Sequence, residues 1–370
     1  MHHTVIPSGF LQSVKTDESS LSGENVTSVS FVYRSAVILS TFTLTTAVVG
    51  IVENLVIFLA FAMSRKLQTA TNIFLINLSI SQTVICFLWI FWAAMYLKDK
   101  KWLRSDATCQ VLYALSPIAT SCMSLTIMVV ALNRYVLITK TKETYSRVFS
   151  RRNIGCILVF CWLSPAVIAV ISQVSGPDDL IKYDMSAQSC VSDFDHPKGK
   201  ALALFSSISS TIAFCVTLCS YCKIFRHVRQ STLALESSSN TSQARRQRKM
   251  VLKVTKTLLC LICFYFILCA GPSMAVNLAI VVHRGNEKEP GYARAMRIVW
   301  DICGELFVLN TCVNPMIYGW NHPHFRIVLG CILRGRLREI PLPSGWLSRL
   351  LRRDHGATQV TYSLDAVDRR

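Results

Sequence analysis

Charged residues are scarce in this chain of 370 residues: they make up 16% of it, against 52% for hydrophobic residues. A soluble domain would carry about 25% charged residues, so the composition favours a membrane protein. Acidic residues are the scarcer sign, with 21 Asp and Glu against 39 Lys and Arg, and the net charge is +18. In a soluble protein this excess would indicate a nucleic-acid partner, but here its position relative to the bilayer decides its meaning.

Several functional signatures are also missing. Residues 1–30 lack the basic-then-apolar order of a cleavable signal peptide, so we expect the first apolar helix to act as an uncleaved insertion signal. No internal repeat, phosphate-binding loop or catalytic group can be recognised, which disfavours a duplicated transporter and an enzyme. Cys260 and Cys263 have zinc-ligand spacing, but an apolar helix without further ligands predicts no metal and no cofactor.

Seven apolar runs are each long enough to cross a bilayer, which requires about 20 residues. They predict an all-α membrane protein built as a seven-transmembrane helix bundle. The predicted spans are about Val37–Met63, Ile73–Leu97, Val111–Thr139, Ile154–Val174, Ala201–Phe225, Val251–Val282 and Ile298–Tyr318.

Lys and Arg are unevenly distributed between the two sides of these spans. The loops at 140–153 and 223–256 and the tail after residue 318 hold most of the excess, whereas the opposite side is almost neutral. Because basic loops stay in the cytoplasm, we expect the N-terminus outside and the C-terminus inside. The excess then indicates orientation and contact with membrane lipids rather than nucleic acid.

This orientation identifies candidate modification sites. Asn25 begins an Asn-Val-Thr glycosylation sequence on the outer side. Cys109 and Cys190 both face the oxidising side, so we expect them to form a disulfide, which contributes roughly 4–5 kcal/mol in the chain-entropy model. Cys331, just past the last span, is a candidate for palmitoylation, with an unmodified cysteine as the alternative.

Characteristic residues recur through the seven spans in a fixed order. They are Asn54, Asn77, Leu78, Trp102, Cys109, Asn133-Arg134-Tyr135, Trp162, Tyr221, Phe266, Cys269, Pro272 and Asn314-Pro315-Met316-Ile317-Tyr318. In this order and spacing the chain resembles the rhodopsin-like (class A) G-protein-coupled receptors, from Val37 to Leu333. The resemblance implies a plasma-membrane receptor that transmits an extracellular ligand signal to a heterotrimeric G protein, with arrestin and a receptor kinase as further partners.

The resemblance also implies a domain organisation. Residues 1–36 would form the extracellular tail and residues 37–319 the receptor domain. Residues 320–334 would form an amphipathic helix on the inner membrane surface, and residues 335–370 a cytoplasmic tail, which we expect to be disordered.

Roles for individual residues follow from the resemblance as well. Arg134 would hold the helix ends together at rest and contact the G protein after activation; snorkelling to the headgroups is the alternative. Phe266 and Pro272 would transmit the movement of the sixth span. The implied inner switch comprises Asn133, Arg134, Tyr135, Tyr221, Asn314, Pro315 and Tyr318.

The sequence departs from the family next to that arginine. The acid that normally precedes Arg134 is Asn133, whose amide can form hydrogen bonds but cannot neutralise the guanidinium. All the charged residues at the start of the sixth span are basic, so no acid is available there either. These departures predict a weak resting contact and raised basal activity.

Other departures concern the bundle interior. Gln82 replaces the aspartate that binds sodium in the family, which predicts little sodium sensitivity. Glu53 either partly restores this charge or faces the helix interface in its neutral form. Ala270 and Ala213 replace the usual tryptophan and proline, so ligand binding must be relayed through other packing, such as that around Phe266 and Ser124.

The outer half of the bundle limits the ligand class. Ser116 occupies the position of the amine-binding aspartate, and Val308 that of the retinal lysine, so an amine salt bridge and a retinal Schiff base are both excluded. Asp301 and Glu305, two acids one helical turn apart, would suit a basic group of a ligand. The alternative is that Asp301 pairs with Arg297, one turn away. The candidate ligand-binding residues are Ser116, Thr120, Ser209, Asn277, Asp301 and Glu305.

An alternative function stays open. Asn133, Gln82 and Ala270 also suit a receptor-fold protein that does not couple productively to G proteins and acts through arrestin or as a membrane scaffold. Intact Arg134, Tyr221 and Asn314–Tyr318 argue against it. The Asn-Arg-Tyr sequence is similar to the melatonin receptors, but the Asn-Pro of the seventh span departs from their version. The ligand and the G-protein class are not determined by these residues.

Overall fold

The computed structural model describes residues 24–95, 105–174, 181–184, 189–192, 197–236, 265–282, 299, 302–313 and 323–349. The helices are α1 (Glu24–Met63), α2 (Ala70–Met95), α3 (Asp106–Thr139), α4 (Lys142–Val148), α5 (Arg151–Val174), α6 (Pro197–Glu236), α7 (Gly271–Val282), α8 (Ile302–Val313) and α9 (Pro323–Leu333). A π-helical turn, Tyr265–Ala270, leads directly into α7. Strands β1 (Ile181–Asp184) and β2 (Ser189–Ser192) form an antiparallel hairpin.

The predicted helix bundle is confirmed, with this short hairpin as an addition. Within the described residues, α1, α2, α3, α5 and α6 are long and apolar enough to cross a membrane. The π turn and α7 belong to the predicted sixth span, and α8 belongs to the predicted seventh span. Helix α1 begins at Glu24, before the predicted start of the first span, and its backbone includes Asn25.

Helix α3 is the centre of the bundle and packs against α2, α5 and α6. It begins at a cap in which the hydroxyl of Ser105 accepts a hydrogen bond from the Thr108 N–H at 3.2 Å, which satisfies one of the free donors of the first turn. Pro117 lies inside the helix and cannot donate to the preceding turn. Because α3 packs against three helices, its buried side chains lie on several of its faces.

Polar contacts join the helices where apolar packing alone would not fix their register. Asn77 of α2 donates to the hydroxyl of Thr126 in α3 at 2.7 Å. Its side-chain oxygen accepts from the indole N–H of Trp162 in α5 at 2.9 Å. One buried amide thus links three helices, and each of its groups finds a partner where no water is expected.

Helices α1, α2 and α8 approach closely at Gly50. A Cβ atom at this position would lie 2.8 Å from both the Cys86 Sγ and the Thr311 Oγ1 atoms, so only glycine fits without a shift. One turn later, Asn54 donates to the Gly50 carbonyl at 2.8 Å and to the Thr311 carbonyl at 3.4 Å. The missing side chain and this amide together hold α8 against α1.

The segment after α9 differs from the predicted disordered tail. Gly335, at a φ of +67°, reverses the chain, and residues 336–349, here named the C-terminal strap, return to the C-terminal end of α1. The strap hydrogen bonds are Arg65 N–H to Leu342 O at 2.9 Å, Ser344 N–H to Met63 O at 2.8 Å, Ser64 Oγ–H to Pro341 O at 2.7 Å and Trp346 Nε1–H to Ala62 O at 2.9 Å. The strap is ordered because it satisfies carbonyls that the end of a helix leaves without partners, and because it buries Ile340 and Leu347.

The close contact at Gly50 gives a stability prediction. Gly50→Ala places a methyl group against Cys86 and Thr311, and overpacking of this kind costs about 1–3 kcal/mol. We expect a lower melting temperature for the purified protein in detergent. Gly155→Ala is the matched control, because nothing lies within 4 Å of its Cβ position. Equal melting temperatures for the two variants would show that α1 and α8 are not in close contact.

Candidate functional site

The end of the bundle that we predict to be extracellular, here named the outer end, is covered by the β-hairpin. The opposite end is named the inner end. The predicted disulfide between Cys109 at the start of α3 and Cys190 in β2 is present, with a Cα–Cα distance of 5.4 Å. The hydroxyl of Tyr113, one turn further along α3, donates to the Cys190 carbonyl at 3.4 Å. Ile181 of β1 is buried in one apolar cluster with Cys109 and Cys190. The hairpin is therefore fixed over the outer end of α3.

The predicted ligand-binding residues are only partly brought together. Ser116 and Thr120 are half-buried on α3, and Ser209 is half-buried on α6. Asn277 lies in α7, and Asp301 falls outside the described residues. Glu305 of α8 accepts a hydrogen bond from Thr43 of α1, so the described part of its surroundings is a helix interface. Its contact with a ligand stays a prediction.

Aromatic residues near this end were missed by the sequence analysis. Trp92 of α2 packs edge-on against Tyr113 of α3, with ring centroids 5.6 Å apart. Trp89 lies so close to α8 that a Cβ atom at Gly304 would be 2.5 Å from its ring. Single tryptophans in an apolar run carry no signal of their own, and only the approach of α8 gives these two a defined position.

In the middle of the bundle, a hydrogen-bonded relay joins the third and sixth spans. The hydroxyl oxygens of Ser124 and Tyr265 lie 2.8 Å apart, and the Ser124 hydroxyl lies 3.1 Å from the Thr120 carbonyl, to which it donates. Because serine has one proton to give, Tyr265 must be the donor to Ser124. The order of donation is Tyr265 to Ser124 to the Thr120 backbone.

Aromatic packing surrounds this relay. Phe266 is buried, with its ring centroid 4.9 Å from Phe214 of α6 and 4.7 Å from Tyr265. The rings of Tyr265 and Phe307 of α8 are 6.4 Å apart. Ala213 and Ala270, which replace the family's proline and tryptophan, are both buried beside this cluster. Tyr265 was not singled out from the sequence, because an aromatic residue in a span usually packs against lipid or core.

At the inner end, the side chain of Asn133 binds the loop helix α4 and does not bind Arg134. The Asn133 side chain is fully buried and donates to the Tyr145 hydroxyl of α4 at 3.2 Å. That hydroxyl also lies 3.2 Å from the hydroxyl of Thr71 in α2. Arg134 is half-buried, and within the described part of the chain it forms no ion pair and its Nε atom has no hydrogen-bond acceptor.

Tyr135 and Tyr221 complete the described part of the predicted inner switch. Lys140 and Lys223 place their Nζ atoms 5.9 Å and 5.7 Å from the centre of the Tyr135 ring, a cation–π arrangement that joins the inner ends of α3 and α6. Tyr221 is fully buried in the cluster that includes Phe266. The other predicted members of the switch, Asn314, Pro315 and Tyr318, lie outside the described residues.

Two further predicted positions bear on ligand and ion binding. Val308 is fully buried in α8, and its aliphatic side chain has no amine; the exclusion of a retinal Schiff base at this position stays a prediction. Gln82 is also buried, and neither of its side-chain polar atoms makes a hydrogen bond within the described residues. The described residues contain no cluster of three metal-ligating side chains.

Pro272, which we predict to transmit the movement of the sixth span, follows the π turn and cannot donate a hydrogen bond there.

Of the two predicted modification sites, Cys331 has side-chain surroundings that the structure describes. Cys331 of α9 is buried in a cluster that includes Phe325 and Leu347, so attachment of an acyl chain would require this cluster to open. Both palmitoylation at Cys331 and glycosylation at Asn25 stay predictions.

Comparison with known proteins agrees with this geometry. Cat (Felis catus) melanopsin is 25% identical over 304 residues, a match that covers 79% of this chain and 59% of that protein. The human 5-hydroxytryptamine receptor 4 is 25% identical over 321 residues, 80% of each chain. The chain spans less than two thirds of the length of the melanopsins it matches.

Fold and family comparisons point the same way. The crystal structure of squid rhodopsin matches with a TM-score of 0.64 at 18% identity, and the match covers 86% of this chain and 90% of that one. The family model of the 7 transmembrane receptor (rhodopsin family) matches residues 53–318, which include every described part of the relay and the inner switch. This chain therefore belongs to the rhodopsin family of seven-transmembrane receptors.

Proposed function

We propose that this chain is a plasma-membrane receptor that couples an extracellular ligand to a heterotrimeric G protein by an outward shift of the sixth span. The observation that carries the proposal is Arg134, half-buried at the inner end of α3 without an ion-pair partner among the described residues. A helix C-terminus presents free carbonyl groups and a partial negative charge. Such an end of a cytoplasmic partner is a suitable ligand for this guanidinium.

The resting contact between the third and sixth spans is the Tyr265–Ser124 hydrogen bond in this proposal. It replaces two contacts that the sequence lacks, an acid beside Arg134 and a tryptophan at Ala270. The π turn Tyr265–Ala270 supports this role, because π turns are rare and concentrate at functional sites. Conversion of this turn to an α-helical one would rotate Tyr265 away from Ser124 and release the sixth span.

Arg134 is the first residue to test. We expect the wild-type receptor to stimulate nucleotide exchange on at least one member of a G-protein panel without ligand, because the resting contact is weak. Arg134→Ala should reduce this exchange to background. Arg151→Ala, which removes an exposed charge at the start of α5, is the control and should retain it. No exchange from well-expressed wild-type protein would contradict raised basal activity and favour the non-coupling alternative.

Asn133→Asp tests the missing acid directly. A carboxylate beside Arg134 would neutralise the guanidinium, so basal exchange should fall below the wild-type level. The substitution also removes the amide donor to Tyr145, and Tyr145→Phe therefore serves as the control for loss of that hydrogen bond alone. Basal exchange that stays unchanged in Asn133→Asp would show that the arginine is not the limiting contact.

Tyr265→Phe tests the relay in the bundle interior. Removal of the phenol hydroxyl deletes the hydrogen bond to Ser124 but keeps the ring packed against Phe266, so we expect higher basal exchange. A hydrogen bond between uncharged groups is worth about 0.5–1.5 kcal/mol, so the ratio of resting to active receptor should fall by about 2-fold to 13-fold. Tyr113→Phe, which removes a hydroxyl at the hairpin, is the control. Equal exchange in wild type and Tyr265→Phe would exclude the relay.

Gln82 predicts the response to sodium. With a neutral amide in place of a carboxylate, replacing choline chloride by sodium chloride at equal ionic strength should leave the melting temperature of the receptor unchanged. Gln82→Asp supplies the missing charge and should make the melting temperature depend on sodium. A clear sodium effect on the wild-type protein would show that Glu53, half-buried in α1, supplies the charge instead.

A further inference from the structure

The C-terminal strap is held at the depth where the first membrane span ends. Its hydrogen bonds go to Ala62–Arg65, and Met63 is the last residue of that span. Leu347 of the strap is fully buried in the cluster at this end of the bundle. Because α1 fixes this depth, the strap lies at the boundary between the hydrocarbon core and water.

Large apolar side chains of this region point away from the protein. Leu342 is 64% exposed, Trp346 is 43% exposed, and Leu333 at the end of α9 is 73% exposed. Leu342 has a φ of +47°, which is unfavourable for a residue other than glycine. Trp346 directs its indole N–H to the Ala62 carbonyl, so the polar atom of the ring is satisfied by protein. Exposed tryptophan and leucine at this depth are typical of contact with a membrane interface.

Positive charge surrounds these apolar side chains. The exposed basic residues of the strap, α9 and the adjacent first inner loop are Arg65, Lys66, Arg326, Arg334, Arg336, Arg338 and Arg349. The acid Glu339 lies 3.7 Å from Arg336, and no other acid occurs in the described segments 64–69 and 323–349. Most of this charge is therefore available to an anionic partner.

We propose that the strap, α9 and Arg65–Lys66 form a binding platform for the headgroups of anionic phospholipids. The proposal places this platform at the cytoplasmic leaflet and so rests on the orientation given in the proposed function. A basic residue near an anionic bilayer strengthens binding by about five-fold. Because the bound lipid would contact both the strap and the first inner loop, lipid binding and docking of the strap stabilise each other.

The test measures lipid binding to the full-length receptor by native mass spectrometry. The probes are phosphatidylserine, a phosphatidylinositol bisphosphate and phosphatidylcholine, each titrated to half occupancy. The triple variant Arg326→Gln, Arg334→Gln and Arg338→Gln removes side chains that make no hydrogen bond or ion pair within the described residues. We expect it to weaken binding of the two anionic lipids at least ten-fold and to leave phosphatidylcholine binding unchanged.

A matched control distinguishes a local site from general charge attraction. Arg147→Gln, Arg151→Gln and Arg152→Gln remove the same charge from exposed positions around α4 and should change anionic lipid binding less than two-fold. Equal weakening in both triple variants, or none in the first, would overturn the platform. Equal affinity for the phosphatidylinositol bisphosphate and for its soluble inositol phosphate headgroup would also overturn it, because the exposed apolar side chains would then have no part in binding.

A second variant tests the role of the strap itself. Leu347→Asp places a charge in the buried cluster and should release the strap while all the basic residues remain. We expect the same loss of anionic lipid binding, whereas unchanged binding would assign the site to α9 alone and contradict the proposal. Ser344→Pro, which removes the N–H donor to Met63, should behave like Leu347→Asp. The readout uses no G protein, so failed nucleotide exchange would count against coupling and leave the lipid result standing.

Discussion

The absence of water from the hydrocarbon core constrains every part of this structure. Backbone groups in that core must find partners within the chain, and helices provide them. Side-chain polar groups face the same requirement, and the described helices meet it at a few shared points. Asn77 joins three helices, Asn54 joins two, and Ser124 passes a hydrogen bond from one span to the backbone of another. These points fix the register of helices whose apolar surfaces could pack in several ways.

The same constraint gives the departures from the family a physical meaning. A missing acid beside Arg134 leaves a guanidinium that the described residues do not neutralise, while Asn133 uses its amide to hold α4. A missing tryptophan is accompanied by a different contact, the Tyr265 hydroxyl on Ser124, next to a π turn. Among the described residues, the inner half of the bundle is therefore held by hydrogen bonds between uncharged groups and by the cation–π contacts of Tyr135.

The C-terminal strap connects the tail to the first span. Pro343 forms an isolated antiparallel bridge with Ser64, which lies far earlier in the chain. The strap also satisfies carbonyls at the end of α1, so the helix and the tail stabilise each other. The strap therefore lies beside the start of the first inner loop.

The sequence by itself determined the helical class, the family and the disulfide, since long apolar runs and the order of motifs depend on local chemistry and spacing. It also identified Asn133, Gln82 and Val308 as departures. Only the tertiary structure decided that Tyr265 meets Ser124, that Glu305 meets Thr43, and that residues 336–349 dock on α1. Each of these contacts joins side chains far apart in the chain. Their partners follow from how the helices approach one another, which no local pattern encodes.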